Sequence, residues 1–197
     1  MQALVTGFEP FGGDAINPAG EALPLLPRDI DGLAIATRLL PCVFGQAIAA
    51  LEDAATEIRP DIVLCVGLAG GRAELSLERI AINIDDARIP DNAGQQPIDR
   101  PIAAGGPAAY FATLPIKACV AEMRKAGLPA AVSNTAGTFV CNHIFYALMD
   151  IAQSHPIPMR GGFLHIPYVP EQASRLGGAP SMALDDIVRG IEIVVEV

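Results

Sequence analysis

One cysteine lies where a loop is predicted to turn into a helix. Residues 137–149 have the sequence GTFVCNHIFYALM, in which the apolar side chains after Cys141 recur at helical spacing. Turn and capping residues precede it at positions 134–138. In the first turn of a buried helix, free N–H groups and the helix dipole favour a thiolate. The position therefore predicts a nucleophilic cysteine, and a small buried core cysteine is the alternative.

A nucleophilic cysteine needs a base, and the chain has three histidines. His143 lies two positions beyond Cys141, so the helix points it away from the thiol. His155 follows the helix in a polar loop and is expected to be solvated. His165 lies near the end of a predicted strand at residues 160–166, where open α/β sheets place catalytic groups. We predict that His165 is the base, and a histidine held by a core hydrogen bond is the alternative.

A carboxylate on a strand supplies the third candidate. Within residues 75–84, strand alternation puts Glu78 on one face with three isoleucines. A buried carboxylate needs a partner, because an unpaired charge is costly. An imidazole suits it, since the carboxylate fixes the tautomer and stabilises the imidazolium. A salt bridge to Arg72, Arg79 or Arg88 is the alternative, and Arg88 could instead stabilise charge near the thiolate.

The segments that must position these residues alternate between strands and helices. This alternation predicts an α/β, three-layer fold with a twisted, mostly parallel or mixed central sheet flanked by helices. The apolar run at residues 61–66 is typical of a strand covered on both faces. The other predicted strands are 3–6, 33–40, one or two within 75–84, 129–133 and 160–166. The predicted helices are 17–26, 44–58, 116–126, the one at Cys141, and 185–196.

Composition limits the class of protein. A length of 197 residues suits one domain, here predicted to span residues 1–197. Apolar residues make up 51% of the chain and mean hydropathy is +0.39, without a run long enough to cross a membrane. The apolar surplus predicts a large core or a subunit interface. Residues 88–115 are rich in Gly, Pro and Asp and predict a long functional or partner-contacting loop.

Net charge and cysteine content indicate the expected partners and cellular compartment of the protein. The formal net charge of −9 argues against nucleic acid or an anionic membrane as a partner. Met1 opens directly into strand-like sequence, so no signal peptide is expected. The four cysteines lack metal-type spacing and are expected to be reduced thiols of a cytoplasmic protein. A thiol redox role is not favoured, because no second cysteine lies near Cys141 in the sequence.

Two glycine-rich turns follow predicted strands, at residues 7–13 and 67–72. Neither carries the Lys-Ser/Thr of a phosphate loop or the dinucleotide spacing. A nucleoside-cleaving or phosphorylase-like enzyme would therefore lack its phosphate site. Phe8 and Phe11 flank the first turn and could wall a small apolar pocket, although two core aromatics are the simpler interpretation of these residues alone.

Six short motifs together match a known family. They are TGFEPFGG at 6–13, GGR at 70–72, ERIAIN at 78–83, ARIPDN at 87–92, TAGTFVCN at 135–142 and GGFLHIP at 161–167. Through them the chain resembles the pyroglutamyl-peptidase I family of cysteine peptidases over nearly its whole length. The resemblance implies a triad of Cys141, His165 and Glu78, an α/β fold, a homotetramer, and no metal or organic cofactor. It also implies removal of an N-terminal pyroglutamyl residue from peptides.

The resemblance also implies a pocket for a small neutral lactam. Asn17 would help to shape this region. Leu68 departs from the family pattern, which usually has Gln there, and we expect activity to survive if that position acts through its backbone. An inactive relative that binds blocked N-termini is the alternative to a peptidase. The implied pocket walls are Phe8, Phe11, Ile89, Phe139 and Val140.

Overall fold

The computed structural model describes residues 1–154 and 159–197. These residues form nine strands: β1 Gln2–Phe8, β2 Asp29–Ile30, β3 Leu33–Leu40, β4 Ile62–Leu68, β5 Leu75–Glu78, β6 Ile80–Ile82, β7 Ala109–Phe111, β8 Ala130–Ser133 and β9 Arg160–Ile166. The α-helices are α1 Pro18–Ala22, α2 Gln46–Ile58, α3 Ile116–Lys125, α4 Val140–Ser154, α5 Pro170–Arg175 and α6 Leu184–Glu196. A 3₁₀ turn, Leu23–Leu25, follows α1.

A seven-stranded mixed sheet forms the centre, in the order β2-β3-β1-β4-β9-β5-β8. Strands β3, β1, β4 and β9 run parallel to one another. Strand β5 is antiparallel to β9 and parallel to β8, and β2 is antiparallel to β3. Strands β6 and β7 form a separate antiparallel pair. The predicted α/β fold with a mixed central sheet is confirmed.

Helices cover both faces of the sheet, giving three layers. On one face, apolar side chains of α1, α3 and α6 pack on Leu64 and Val66 of β4. On the other face, α2 and α4 pack on Val63 and Cys65. Every residue of β4 is buried, which explains its continuous apolar sequence.

Most predicted elements are confirmed within a few residues. Asn17 caps α1, its side-chain oxygen accepting a hydrogen bond from the Ala19 amide at 3.1 Å. The predicted continuous face through residues 75–84 is wrong. The chain leaves β5 after Glu78, and the Arg79 amide donates to the carbonyl of Ser133. Glu78 therefore belongs to the central sheet, whereas Ile80 and Ile82 belong to the β6–β7 pair and Ile84 follows that strand.

Candidate active site

The site lies where the ends of β4 and β9 meet the start of α4. A cavity of about 580 Å³ opens there and brings together Cys141 and His165 with side chains from five loops and turns. Its apolar members are Phe11, Leu68, Ala69, Ile89, Ala136 and Phe139, and its polar members include Asp14, Arg72, Asp86, Arg88, Thr138, Cys141, His165 and Tyr168.

Cys141 is the second residue of α4, as the sequence predicts. The helical hydrogen bonding begins with the His143 amide, which donates to the carbonyl of Phe139. The N–H groups of Cys141 and Asn142 precede that bond and so lie among the amides that a helix leaves without a helical acceptor. Such amides suit a developing negative charge.

Gly67 brings the thiol close to the sheet. A Cβ atom built on Gly67 would lie 2.8 Å from the Cys141 Sγ, so the sulfur occupies the space where any other residue would have a side chain. Gly67 pairs with His165 in the β4–β9 register. Paired residues of adjacent strands present their side chains on the same face of a sheet. The thiol and the imidazole therefore share one face at neighbouring positions.

Glu78 is the partner of His165. Its carboxylate is fully buried, and Oε1 accepts a hydrogen bond from the imidazole Nδ1 at 2.7 Å. The same oxygen accepts a second bond, from the Arg72 guanidinium at 2.9 Å. The imidazole interaction and the salt bridge, which the sequence presents as alternatives, thus occur together. With its proton on Nδ1, His165 has Nε2 available as an acceptor.

Burial decides the resting charges of the Cys141 and His165 side chains. Burial is the main cause that raises the pKa of the Cys141 thiol well above its usual range; the charge of Glu78 adds to this effect, and the Arg72 charge opposes it. The helix start alone therefore does not produce a free thiolate, in contrast to the sequence-based expectation. Burial likewise lowers the pKa of His165, against the effect of Glu78. The resting pair is a thiol beside a neutral imidazole.

Glu78 itself remains ionised. Burial would raise the pKa of its carboxyl, but the hydrogen bonds that it accepts from His165 and Arg72 oppose burial and outweigh it. The net pKa lies below the ordinary value for glutamate. An ionised Glu78 can therefore fix the tautomer of His165 and stabilise its imidazolium.

The predicted pocket residues divide into two groups. Phe11, Leu68, Ile89 and Phe139 line the cavity, as does Arg88. The rings of Phe11 and Phe139 lie 6.0 Å apart, tilted by 37°. Together these side chains form an apolar wall beside the thiol.

The remaining three predicted residues do not contribute to the lining of this cavity. Phe8 and Val140 are buried in the core between the sheet and helices α2 and α4. Asn17 is also buried, and its amide donates to the carbonyl of Glu9. It holds the 7–13 turn and caps α1, so its place is behind the loop that carries Phe11.

The other two histidines have separate positions. His143 is buried, with Nδ1 2.8 Å from a carboxylate oxygen of Asp85 and Nε2 accepting from the Gly45 amide at 2.9 Å. Both ring nitrogens are engaged, which agrees with its exclusion as the base. His155 lies outside the described residues.

Some residues at or beside the site are absent from the sequence-based prediction. Tyr168 lines the cavity, and its ring packs on Gly70, where a Cβ would collide with the phenol. Asn142 is buried and exchanges hydrogen bonds with the backbone of Ile82 and Ile84, which ties the start of α4 to β6. The one available signal is that Asn142 is a polar residue on a helix face that is otherwise apolar.

Within residues 1–154 and 159–197, no group of three or more His, Cys, Asp or Glu side chains is arranged to hold a metal ion. None of the helices in that part of the chain has the length and apolar character to cross a membrane. All four cysteines are free thiols.

Comparison with known proteins agrees with this geometry. The sequence model of the family described as pyroglutamyl peptidase matches residues 1–197. The chain belongs to the pyroglutamyl peptidase family. It is 60% identical over 194 residues to the pyrrolidone-carboxylate peptidase of Cupriavidus taiwanensis and 58% identical over 194 residues to pyrrolidone-carboxylate peptidase 1 of Ralstonia nicotianae. Each alignment covers 98% of this chain and 90% of the relative.

Solved structures of pyroglutamyl peptidases have the same fold. Pyroglutamyl peptidase I from Bacillus amyloliquefaciens superposes with a TM-score of 0.95 at 50% identity, covering 98% of this chain and 92% of that one. Pyrrolidone carboxyl peptidase from Pyrococcus furiosus gives a TM-score of 0.96 at 43% identity, covering 100% and 97%. As a member of this family, the protein is a cysteine-type exopeptidase that removes N-terminal pyroglutamyl residues.

Proposed function

We propose that residues 1–197 form a single catalytic domain that releases pyroglutamate from peptides through Cys141 as nucleophile, His165 as base and Glu78 as the orienting carboxylate. The observation that supports this most directly is the Glu78–His165 hydrogen bond, 2.7 Å long, in a cavity that also contains Cys141. The carboxylate holds the imidazole proton on Nδ1, so Nε2 is the atom that receives the thiol proton.

The reaction proceeds through an acyl-enzyme. The Cys141 sulfur attacks the pyroglutamyl carbonyl carbon as its proton passes to His165 Nε2. The resulting oxyanion accepts hydrogen bonds from the amides at the start of α4, and the Arg88 guanidinium, which lines the same cavity, adds positive charge. The C–N bond then breaks, and His165 returns the proton to the departing amine. Water cleaves the thioester, giving free pyroglutamate and the Cys141 thiol.

The apolar wall accounts for selection of a neutral lactam. Phe11, Ile89, Phe139 and Leu68 surround the space beside the thiol, and they offer no partner for the charged side chain of an N-terminal glutamate. Proline is the closer competitor, because it has a similar ring without the lactam N–H and C=O. Polar groups that pair with the lactam would be left without partners when proline binds.

We also propose a cytoplasmic homotetramer without a cofactor. Large apolar side chains that are at least half exposed support self-association. Among the described residues these are Met1, Leu25, Leu39, Ile98, Phe111 and Leu176. The expected light-scattering mass is about four times that of one 20.5 kDa chain. A mass equal to one chain at micromolar concentration would remove the proposal.

The activity is tested by release of a fluorophore from a pyroglutamyl amide, with the prolyl amide as decoy. Wild type should cleave the pyroglutamyl amide in strong preference, and Cys141→Ala should lose that turnover. No turnover by folded, reduced wild type would support the alternative of a protein that binds blocked N-termini. Turnover that persists in pure Cys141→Ala would contradict the proposed nucleophile.

A further inference from the structure

Glu78 connects the catalytic histidine to an arginine that borders the substrate cavity. The carboxylate oxygen Oε1 accepts hydrogen bonds from both His165 and Arg72. Glu78 is fully buried, whereas the Arg72 side chain is 31% exposed and lines the cavity. Arg72 extends from the turn after β4, where its amide donates to the carbonyl of Ala69. One carboxylate oxygen thus contacts both the guanidinium and the imidazole, at 2.9 and 2.7 Å.

The charges of this cluster balance only when Arg72 is present. The resting site holds a neutral thiol, a neutral imidazole and the carboxylate of Glu78. A buried carboxylate without a cation is costly, and it lowers that cost by taking up a proton or by keeping one on the adjacent imidazole. A protonated His165 cannot accept the proton of Cys141. Arg72 supplies the positive charge and leaves the imidazole neutral.

We propose that Arg72 is a positioning residue that keeps Glu78 ionised and His165 unprotonated, so that the base is ready to receive the proton of Cys141. The proposal rests on the catalytic triad proposed above and assigns a function to a residue outside it. Two neighbouring arginines do not fill this position. Arg79, next to Glu78 in sequence, donates to the side chain of Asn134, and Arg88 lines the cavity without an ion pair among the described residues.

The remaining ionisable groups around the triad do not replace Arg72. Among the described residues, the titratable groups that shift the pKa values of Glu78 and His165 are each other and Arg72. Glu78 and Arg72 in turn act on Cys141. The thiols of Cys42 and Cys65 act on Cys141 from the core, and burial raises the pKa of both to about 12, so they remain neutral. Arg72 lowers the pKa of His165, Glu78 and Cys141 alike. Removal of the Arg72 charge should therefore raise all three pKa values.

The test compares Arg72→Gln and Arg72→Met, which remove the charge, with Arg72→Lys, which keeps it. Arg79→Gln is the matched control, because it removes a neighbouring arginine outside the cavity. For each protein, kcat/KM for the pyroglutamyl amide is measured across pH, together with the rate of Cys141 alkylation by uncharged iodoacetamide. Mass spectrometry identifies the alkylated residue, and thermal unfolding checks that each variant is folded.

The acid limb of kcat/KM reports the free enzyme's essential base. A cation within hydrogen-bonding distance shifts a neighbouring pKa by about 1–3 units, and partial exposure of Arg72 reduces this to about one unit. We therefore expect the acid limb of Arg72→Gln and Arg72→Met to move up by about one pH unit. Activity below the limb should fall about tenfold. Alkylation should show the same displacement, Arg72→Lys should restore most of it, and Arg79→Gln should match wild type.

Several results would overturn the proposal. A lower kcat at every pH with an unmoved acid limb, in a folded variant, would mean that Arg72 is only structural. An equal shift in Arg79→Gln would mean that the effect is general electrostatics. If neither charge-removing variant folds, Arg72→Lys decides, since its single ammonium should move the limb upward by a few tenths of a unit and an unmoved limb contradicts the role. Wild-type alkylation away from Cys141 would refute the triad itself.

Discussion

Gly67→Ala is the most direct test of how the thiol is placed. An added Cβ would lie 2.8 Å from the Cys141 Sγ and 2.7 Å from the Cζ of Phe163, whereas ordinary contacts begin at 3.4 Å. The sulfur must therefore retreat by about 0.6 Å and the ring by about 0.7 Å, the differences between those distances. Phe163 is fully buried between Phe145 and His165, with ring centroids 5.9 and 4.8 Å away, so it cannot yield without disturbing the base.

The expected loss follows from that displacement. A misplacement of about 1 Å can cost roughly 100-fold in rate, so about 0.6 Å should cost roughly 10- to 30-fold in kcat/KM. Overpacking should also reduce the free energy of unfolding by about 1–3 kcal/mol. The assays are turnover of the pyroglutamyl amide, iodoacetamide alkylation of Cys141, and urea unfolding.

Gly162→Ala is the matched control on β9. Its Cβ would lie 2.6 Å from the Leu114 side chain, which belongs to the core on the opposite face of the sheet. Gly162→Ala should lose about as much free energy of unfolding as Gly67→Ala but keep its activity. If folded Gly67→Ala keeps kcat/KM and the alkylation rate within about twofold of wild type, the close approach does not position the thiol.

Two other substitutions test neighbouring features. Asn142→Ala removes three hydrogen bonds of 2.9–3.0 Å to the backbone of Ile82 and Ile84. At about 1 kcal/mol per bond, the free energy of unfolding should fall by about 3 kcal/mol, as measured by urea unfolding. A loss under about 1 kcal/mol would show that other partners replace these bonds. Leu68→Gln places in the cavity wall the residue that the resemblance implies for this position. The change should leave kcat/KM within about tenfold, whereas a gain of a hundredfold or more would mean that the native Leu68 impairs the site.

The spacing of apolar residues predicts most strands and helices, because each element is a short segment with its own hydrophobic period. The buried run of β4 and the helix at Cys141 follow from hydrophobic spacing alone. The sequence identifies Glu78 correctly as a buried carboxylate, but the shared strand face from which this follows does not exist. Strand β5 ends at Glu78, and Ile80 and Ile82 belong to a different sheet. The break reflects a change of partner, since β5 pairs with β8 and β9 whereas β6 pairs with β7. These contacts join segments far apart in sequence, which local alternation does not indicate.

The site was less predictable in its distances than in its residue types. Phe8 and Val140, which the resemblance implies for the pocket wall, do not line the cavity. Their side chains pack instead in the core between the sheet and α4. The approach of Gly67 to the thiol and the sharing of one Glu78 oxygen by Arg72 and His165 arise from sheet register. Register depends on tertiary pairing and is not specified by the sequence of a single strand.

The electrostatics of the site match the substrate proposed for it. Burial keeps Cys141 as a thiol and His165 as a neutral base, so proton transfer between them is unfavourable in the empty site. Attack on a carbonyl moves the new negative charge from the sulfur to an oxygen, where the amides at the start of α4 and Arg88 can stabilise it. The proton left on His165 is then paired with Glu78. An uncharged lactam enters this site without disturbing the balance, whereas an N-terminal glutamate would bring an unpaired carboxylate into the apolar wall.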